Sequence, residues 1–251
     1  MSARIPRALP TAPLALAMVA LVASLCGCSS SPTDSGSPTP ELALSAPPLQ
    51  GVGPTGFPGA AFPIPAGARS VVVEFACDGG GDFAVELGDP MMLGQAPLEG
   101  GCDGTSPLAW PVSERTGGTL NVHVPDGVAW TATPAFSSDE FAADAALTAD
   151  CAALSPLISA LYNAEAGYQQ SQLSLDEWSA RMATVTGGLD AFATSSESAL
   201  DAPGAALRAL VADPALVPGT FITSRTDPLI EIRRACNTNQ SPLVLMGEFG
   251  G

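Results

Sequence analysis

The hydrophobic pattern changes period three times along the chain. Residues Leu14 to Leu25 form an apolar, uncharged run. From Ser29 to about residue 50 the chain is rich in Ser, Pro, Thr and Gly, with too little apolar content to pack, so it predicts a disordered tether. Residues 55–136 carry strand signals. Arg69–Ala76 is β-branched, Asp82–Gly88 alternates with Phe83, Val85 and Leu87 on one face, and Thr119–Val124 does the same with Leu120, Val122 and Val124. Trp130–Thr133 is a further short strand. Gly, Pro and Asp clusters at Asp78–Gly81, Asp89-Pro90, Glu99–Gly104, Gly117-Gly118 and Asp126-Gly127 predict turns between them. Short strands at this spacing predict a small antiparallel β-sandwich.

From Ser137 the period becomes helical. Leu147, Cys151, Leu154, Ile158 and Leu161 step by four and three, and Trp178, Met182, Val185, Leu189 and Phe192 repeat the step. Ser174 and Glu177 predict a capping box, with Leu173 and Trp178 as its hydrophobic staple, and Ser137 with Glu140 predicts a second box. Asp227-Pro228 reads as an N-cap followed by an N1 proline, opening a helix with Leu229, Ile232 and Cys236 on one face. Another short helix is expected near residues 203–212, and Gly187-Gly188 predicts a kink in the second helix. The apolar tail Pro242–Met246 is expected to lie extended on the surface. The predicted class is α+β: a β-sandwich over residues 55–136, then a helical bundle over residues 137–251.

The N-terminus adds a location. Arg4 and Arg7 precede the apolar run without any acid, and Leu25-Cys26-Gly27-Cys28 closes it just before the polar tract. The run is shorter than the ~20 apolar residues of a comfortable membrane span. This arrangement resembles the lipobox of a bacterial prolipoprotein, with Leu25 three before the acceptor and small Gly27 just before it. Cys26 departs only slightly from the pattern, being nearly Ser-sized, and as an acceptor it would have bulky Leu25 before it. The resemblance implies cleavage after residue 27, a diacylglyceryl thioether on Cys28, and residues 28–54 as a tether on the extracytoplasmic face of the membrane. Two or three acyl chains anchor stably, since each buried CH₂ contributes ~0.8 kcal/mol. An ordinary secretory signal would instead leave a soluble product. In layout the whole chain is similar to uncharacterised surface lipoproteins of high-GC Gram-positive bacteria, a likeness that brings no functional residues with it.

Charge and cysteine content narrow the function. The chain has nine Arg, no Lys and 25 acids. Removing residues 1–27 leaves seven Arg against 25 acids, a net −18. Such a surface repels nucleic acid and anionic headgroups. Past Cys28 four cysteines remain, Cys77, Cys102, Cys151 and Cys236, in a compartment where disulfides persist. Three pairings are possible. Cys77–Cys102 and Cys151–Cys236 each fall within one region of distinct pattern, and the last two lie on the inner stripes of the first and last helices. The spacing holds no CxxC-type zinc motif.

Chemistry is sparse. His123 shares the polar face of its strand with Thr119 and Asn121 and reads as a surface imidazole. HExxH, Walker A, GxGxxG and GxSxG motifs are absent from the sequence. Asp78 and Asp82 flank three glycines, which suits a tight hairpin turn better than a calcium loop. Trp110 and Trp130 are either a sugar platform or core, and burial is the commoner fate of large apolar rings. Tyr162 and Tyr168 are expected in the core or on its rim. No catalytic residue, cofactor or metal is assigned.

The leading expectation is therefore a lipid-anchored envelope protein, non-catalytic, binding or scaffolding, with the bilayer as one partner through Cys28 and an envelope protein or glycan as another. The alternative is a carboxylate hydrolase of cell-wall glycan, which needs two inward carboxylates in a cleft. A solute-binding lipoprotein feeding a transporter ranks last, because the alternating strand–helix pattern of two-lobed α/β proteins is missing. Cys28→Ala should move the protein from the membrane fraction to the soluble extract; continued membrane association would remove the anchor.

Overall fold

One strand carries the sheet. The computed structural model describes residues 46–88, 95–194, 197–221 and 227–249. Residues 1–27 and Cys28, most of residues 28–54 expected as a tether, and Asp89-Pro90, expected as a turn, lie outside them. Strand β3 (Ser70–Leu87) buries Val71, Val73, Phe75 and Cys77, then Phe83, Val85 and Leu87, all on one face. Strand β4 (Leu98–Pro111) pairs antiparallel along nearly its whole length. Strand β6 (Ala129–Ser137) pairs with the first half of β3, and β5 (Thr119–His123) with the second half. Two short strands complete the sheet, β1 (Leu49–Val52) on β6 and β2 (Ala60–Ala61) on β5.

β3 serves both halves because it bends at Gly79–Gly81. There the register with β4 shifts, from Asp78 opposite Asp103 to Asp82 opposite Gly101. The three glycines have φ of 154°, 77° and 81°, a region L-residues avoid. Cys77–Cys102 joins the two strands beside this bulge. Hydrogen bonding thus places all six strands in one barrel-like antiparallel sheet, where the sequence predicts two facing sheets. The clusters Asp78–Gly81 and Glu99–Gly104, expected as turns, lie inside β3 and β4. Their glycines act as bends within a continuous ladder.

Glycines also sit beneath aromatic rings. Phe83 pairs with Gly100 and Trp130 with Gly51. A Cβ on Gly100 would come within 2.6 Å of the Phe83 ring, and one on Gly51 within 2.4 Å of the Trp130 indole. Each ring covers a cross-strand glycine, which packs a position that has no side chain of its own. The Trp130 indole N–H also donates to the Gly53 carbonyl. These contacts hold Leu49–Val52 in the sheet, within the span 28–54 that the sequence leaves unstructured.

Four helices surround a second hydrophobic core. They are α1 (Ala145–Gln169), α2 (Leu175–Ala191), α3 (Asp201–Val211) and α4 (Asp227–Thr238). Leu154, Ile158 and Leu161 of α1, Leu189 of α2, Leu207 of α3 and Ile232 of α4 are almost completely buried. Each contributes on the order of 1.5–3 kcal/mol. The second disulfide, Cys151–Cys236, ties α1 to α4. An unstrained link across a separation of 85 residues contributes roughly 4.5 kcal/mol on the chain-entropy model. Ser174 and Glu177 form the expected capping box. Ser137 and Glu140 do not: the backbone of Ser137 continues β6, Glu140 pairs with Arg69, and α1 is capped by Asp144, whose carboxylate accepts from Ala146 and Leu147 N–H. Helix α2 runs unbroken through Gly187-Gly188. A Cβ on Gly188 would lie 2.5 Å from the Leu157 side chain, so the glycine permits close contact with α1.

The tail returns along α1. Val244 N–H donates to Ser155 Oγ, Met246 N–H to Ser159 Oγ and Glu248 N–H to Asn163 Oδ1, while Asn163 Nδ2 donates to the Met246 carbonyl. Four helical residues rise about 6 Å and two extended residues span about 6.6 Å, so the two repeats nearly match. Arg181 forms a two-pronged pair with Glu248 and lies 5.5 Å from the Phe249 ring centre. Its guanidinium holds the Glu248 carboxyl below its ordinary value of 4.5, with desolvation opposing.

Glu165 is the one acid buried completely in the helical core. Its two oxygens accept from the Trp178 indole N–H and the Phe221 backbone N–H, both at 2.7 Å. It continues the inner stripe of α1 four residues after Leu161, so the helical periodicity places it in the core although its side chain is an acid.

Two outcomes follow from these contacts. Glu165→Ala strips acceptors from two buried donors and should cost about 2–4 kcal/mol in urea unfolding; a cost below 1 kcal/mol would mean the donors find other partners. A carboxyl whose folded pKa is depressed stabilises above its unfolded value, and that contribution is lost as pH falls through the folded value. Protection of the Met246 and Glu248 amides against exchange should therefore hold at neutral pH and fall once pH drops below about 4.5. Glu177 is also held below its ordinary value, mainly by its backbone and side-chain hydrogen bonds with Ser174. Arg181→Gln should abolish the acid-dependent loss at Glu248; an unchanged profile would assign it to the capping box.

Candidate functional site

The helices and the curled sheet meet through α4. Arg233 pairs with Glu99 of β4 at 2.7 Å, Asn237 Nδ2 donates to the Pro97 carbonyl, and Gln240 Nε2 donates to the Ala109 carbonyl. The Arg233–Glu99 pair is partly exposed and contributes at most ~1 kcal/mol. The buried Asn237 amide fixes the approach of α4 more firmly.

Beside this junction a cleft of about 480 Å³ opens between α4 and the second half of the sheet. Its sheet wall is Asp82, Phe83 and Ala84, which follow the glycine bend, with Glu99 of β4 and His123, Val124 and Pro125 at the end of β5. Its helix wall is Asp227, Ile230, Glu231 and Arg234. At ~100° per residue these four share one face of α4, opposite the stripe of Leu229, Ile232 and Cys236 that enters the core. The size lies within the usual range for small-molecule sites, roughly 300–1,000 Å³.

The cleft is electrostatically mixed. Four carboxylates line it, and of these Glu99 is paired with Arg233. Asp82, Asp227 and Glu231 have no hydrogen bond or ion pair among the described residues. Ion pairs engage Arg69, Arg181, Arg208 and Arg233, and Arg115 is exposed. Arg234 is half-buried, has no acceptor among the described residues, and its Nε is shielded from solvent.

The residues singled out from sequence fall in several places. His123 is exposed, as its strand face predicts, yet it lies on the cleft rim with Asp82 and Glu99. Asp82 leaves the bulge of β3 rather than a hairpin turn. No three of His, Cys, Asp or Glu among the described residues gather to hold a metal ion. Trp110 and Trp130 are buried, and their indole N–H groups donate to the carbonyls of Ala96 and Gly53. Tyr162 and Tyr168 are partly buried against the helical core. Cys77, Cys102, Cys151 and Cys236 are paired as their regions suggest, and Cys28 lies outside the described residues.

Glu99, Glu231 and Arg234 carry no signal in a reading by motif. The spacing of Asp227, Ile230, Glu231 and Arg234 does place them on one helix face, but an outward polar face is ordinarily solvated. Their shared cleft arises only when β3 bends towards them. No protein-family model, curated protein or solved structure matches the chain.

Proposed function

We propose that the protein is a lipid-anchored, extracytoplasmic binding protein whose ligand site is the cleft between α4 and the curled sheet. The observation that carries this reading is the cleft itself, lined from β3, β4, β5 and α4 and containing both unpaired acids and an unpaired Arg. Location rests on the lipobox-like run ending at Cys28. The engagement of all four later cysteines in disulfides supports an oxidising compartment. It also leaves no free thiol at those positions for catalysis. In this reading residues up to β1 tether the folded part to the bilayer, and an envelope protein or glycan fragment is the partner.

The second reading is a carboxylate-based glycan hydrolase. It is favoured by one feature, the four carboxylates on a single cleft. A general acid and its partner carboxylate would have to come from that set.

One experiment separates the two. Ala84 lines the cleft floor, and Ala84→Trp fills it. The full chain, immobilised, should retain a component of the native envelope that the Ala84→Trp variant does not retain. Equal retention by both would move binding elsewhere on the surface. Turnover of cell-wall glycan that is lost in Glu231→Gln would instead support the hydrolase.

A further inference from the structure

The charges around the cleft describe a ligand more narrowly than its volume does. Arg234 is the half-buried arginine with no anion within reach among the described residues. A partly desolvated guanidinium without a counter-charge is costly, and its planar fork suits a carboxylate. Arg234 and Glu231 also border a second, adjoining cavity with Phe141, Asp144 and Leu147. No carboxylate pairs with it from either side among the described residues.

The other charged groups of the cleft are acids. Asp82 stands on the sheet wall after the β3 bend, and Asp227 and Glu231 stand on the same face of α4 as Arg234, two turns and one turn before it. All three carboxylates are unpartnered among the described residues. Like charges gathered around one cleft raise each other's energy, and a cation relieves it. A simple anion would satisfy Arg234 and be repelled by the acids; a simple cation would do the reverse. A molecule carrying both charges satisfies the whole cleft. Ala84, Pro125 and Ile230 supply an apolar surface between the charged groups.

We infer that the cleft binds a short peptide with free ends, its carboxylate on Arg234 and its ammonium among the carboxylates of Asp82, Asp227 and Glu231. This rests on the cleft being the binding site and names the class of ligand it takes. No bond is made or broken. His123, on the rim, is placed beside the bound molecule and is not required for charge recognition.

Calorimetric titration of the full chain with L-alanyl-L-alanine tests it. Two blocked probes separate the ends, the N-acetyl dipeptide without its ammonium and the dipeptide amide without its carboxylate. Dialanine should bind at least ten-fold tighter than either blocked form. Arg234→Gln should weaken dialanine about ten-fold and leave the amide unaffected, because the contact it removes is the carboxylate's. Asp227→Asn should weaken dialanine and spare the N-acetyl form. Failure of dialanine to bind, equal affinity for all three probes, or an Arg234→Gln variant as tight as wild type would overturn the inference. The larger reading fails separately. If an envelope component is still captured and Ala84→Trp abolishes its capture, the site stands and only the zwitterionic ligand falls.

Discussion

The bend of β3 at Gly79–Gly81 is the constraint on which the sheet depends. β4, β5 and β6 all pair with this one strand, two of them on different halves of the same edge. A straight strand would carry β5 and β6 into a flat extension, with Val71, Val73 and Phe75 side by side with Phe83, Val85 and Leu87 on one open face rather than curled around a shared core. Setting three residues, Gly79–Gly81, opposite the single Cys102 inserts two, which curls the strand while keeping its side-chain alternation in phase. Both halves then bury the same face. The neighbouring disulfide fixes the register at the point where a slip would be easiest. The residues that leave the bend, Asp82 to Ala84, become the wall of the cleft, so the same local device shapes both core and site.

The helical part solves a different problem. Its helices share one small core, and the chain between α1 and α4 is closed by Cys151–Cys236. Polar groups placed within it have named partners: Glu165 binds two buried donors, and Ser155, Ser159 and Asn163 hold the returning tail. α1 is therefore apolar on its core side and hydrogen-bonding on the side the tail covers. Its mean hydropathy over 18 residues reaches 1.4, enough in length and composition for a membrane span, yet Leu154, Ile158 and Leu161 are buried against the other helices.

Local rules made part of this legible. The alternation in Asp82–Gly88 and Thr119–Val124, the heptad-like steps of α1 and α2 and the Ser174–Glu177 box follow from residue patterns of short range, and both disulfides from the division of the chain into two regions of distinct pattern. What escaped depends on pairing between distant segments. Glu99–Gly104 looks like a turn because glycine is abundant there, but β3 and Phe83 supply the partner that makes it a strand. Ser137-x-x-Glu140 has the form of a helix start, but β3 claims Ser137 first. Leu49–Val52 looks like tether because its stabilising partner, Trp130, lies almost eighty residues away. The cleft residues were hidden for the same reason. Each is an ordinary surface charge on its own element, and only the bend in β3 and the docking of α4 bring them together.

The most direct measurement of that dependence is made at Gly80. Its φ is 77°, and a Cβ there would meet nothing within 4 Å. Any cost of substitution is therefore conformational rather than steric. Gly80→Ala forces an L-residue into the left-handed region and should lower unfolding free energy by about 1–2 kcal/mol, whereas Gly80→Asn, which tolerates that region, should lose clearly less. An alanine variant as stable as both wild type and the asparagine variant would contradict the account, because the bend would then not need the backbone geometry on which the sheet and the cleft are built.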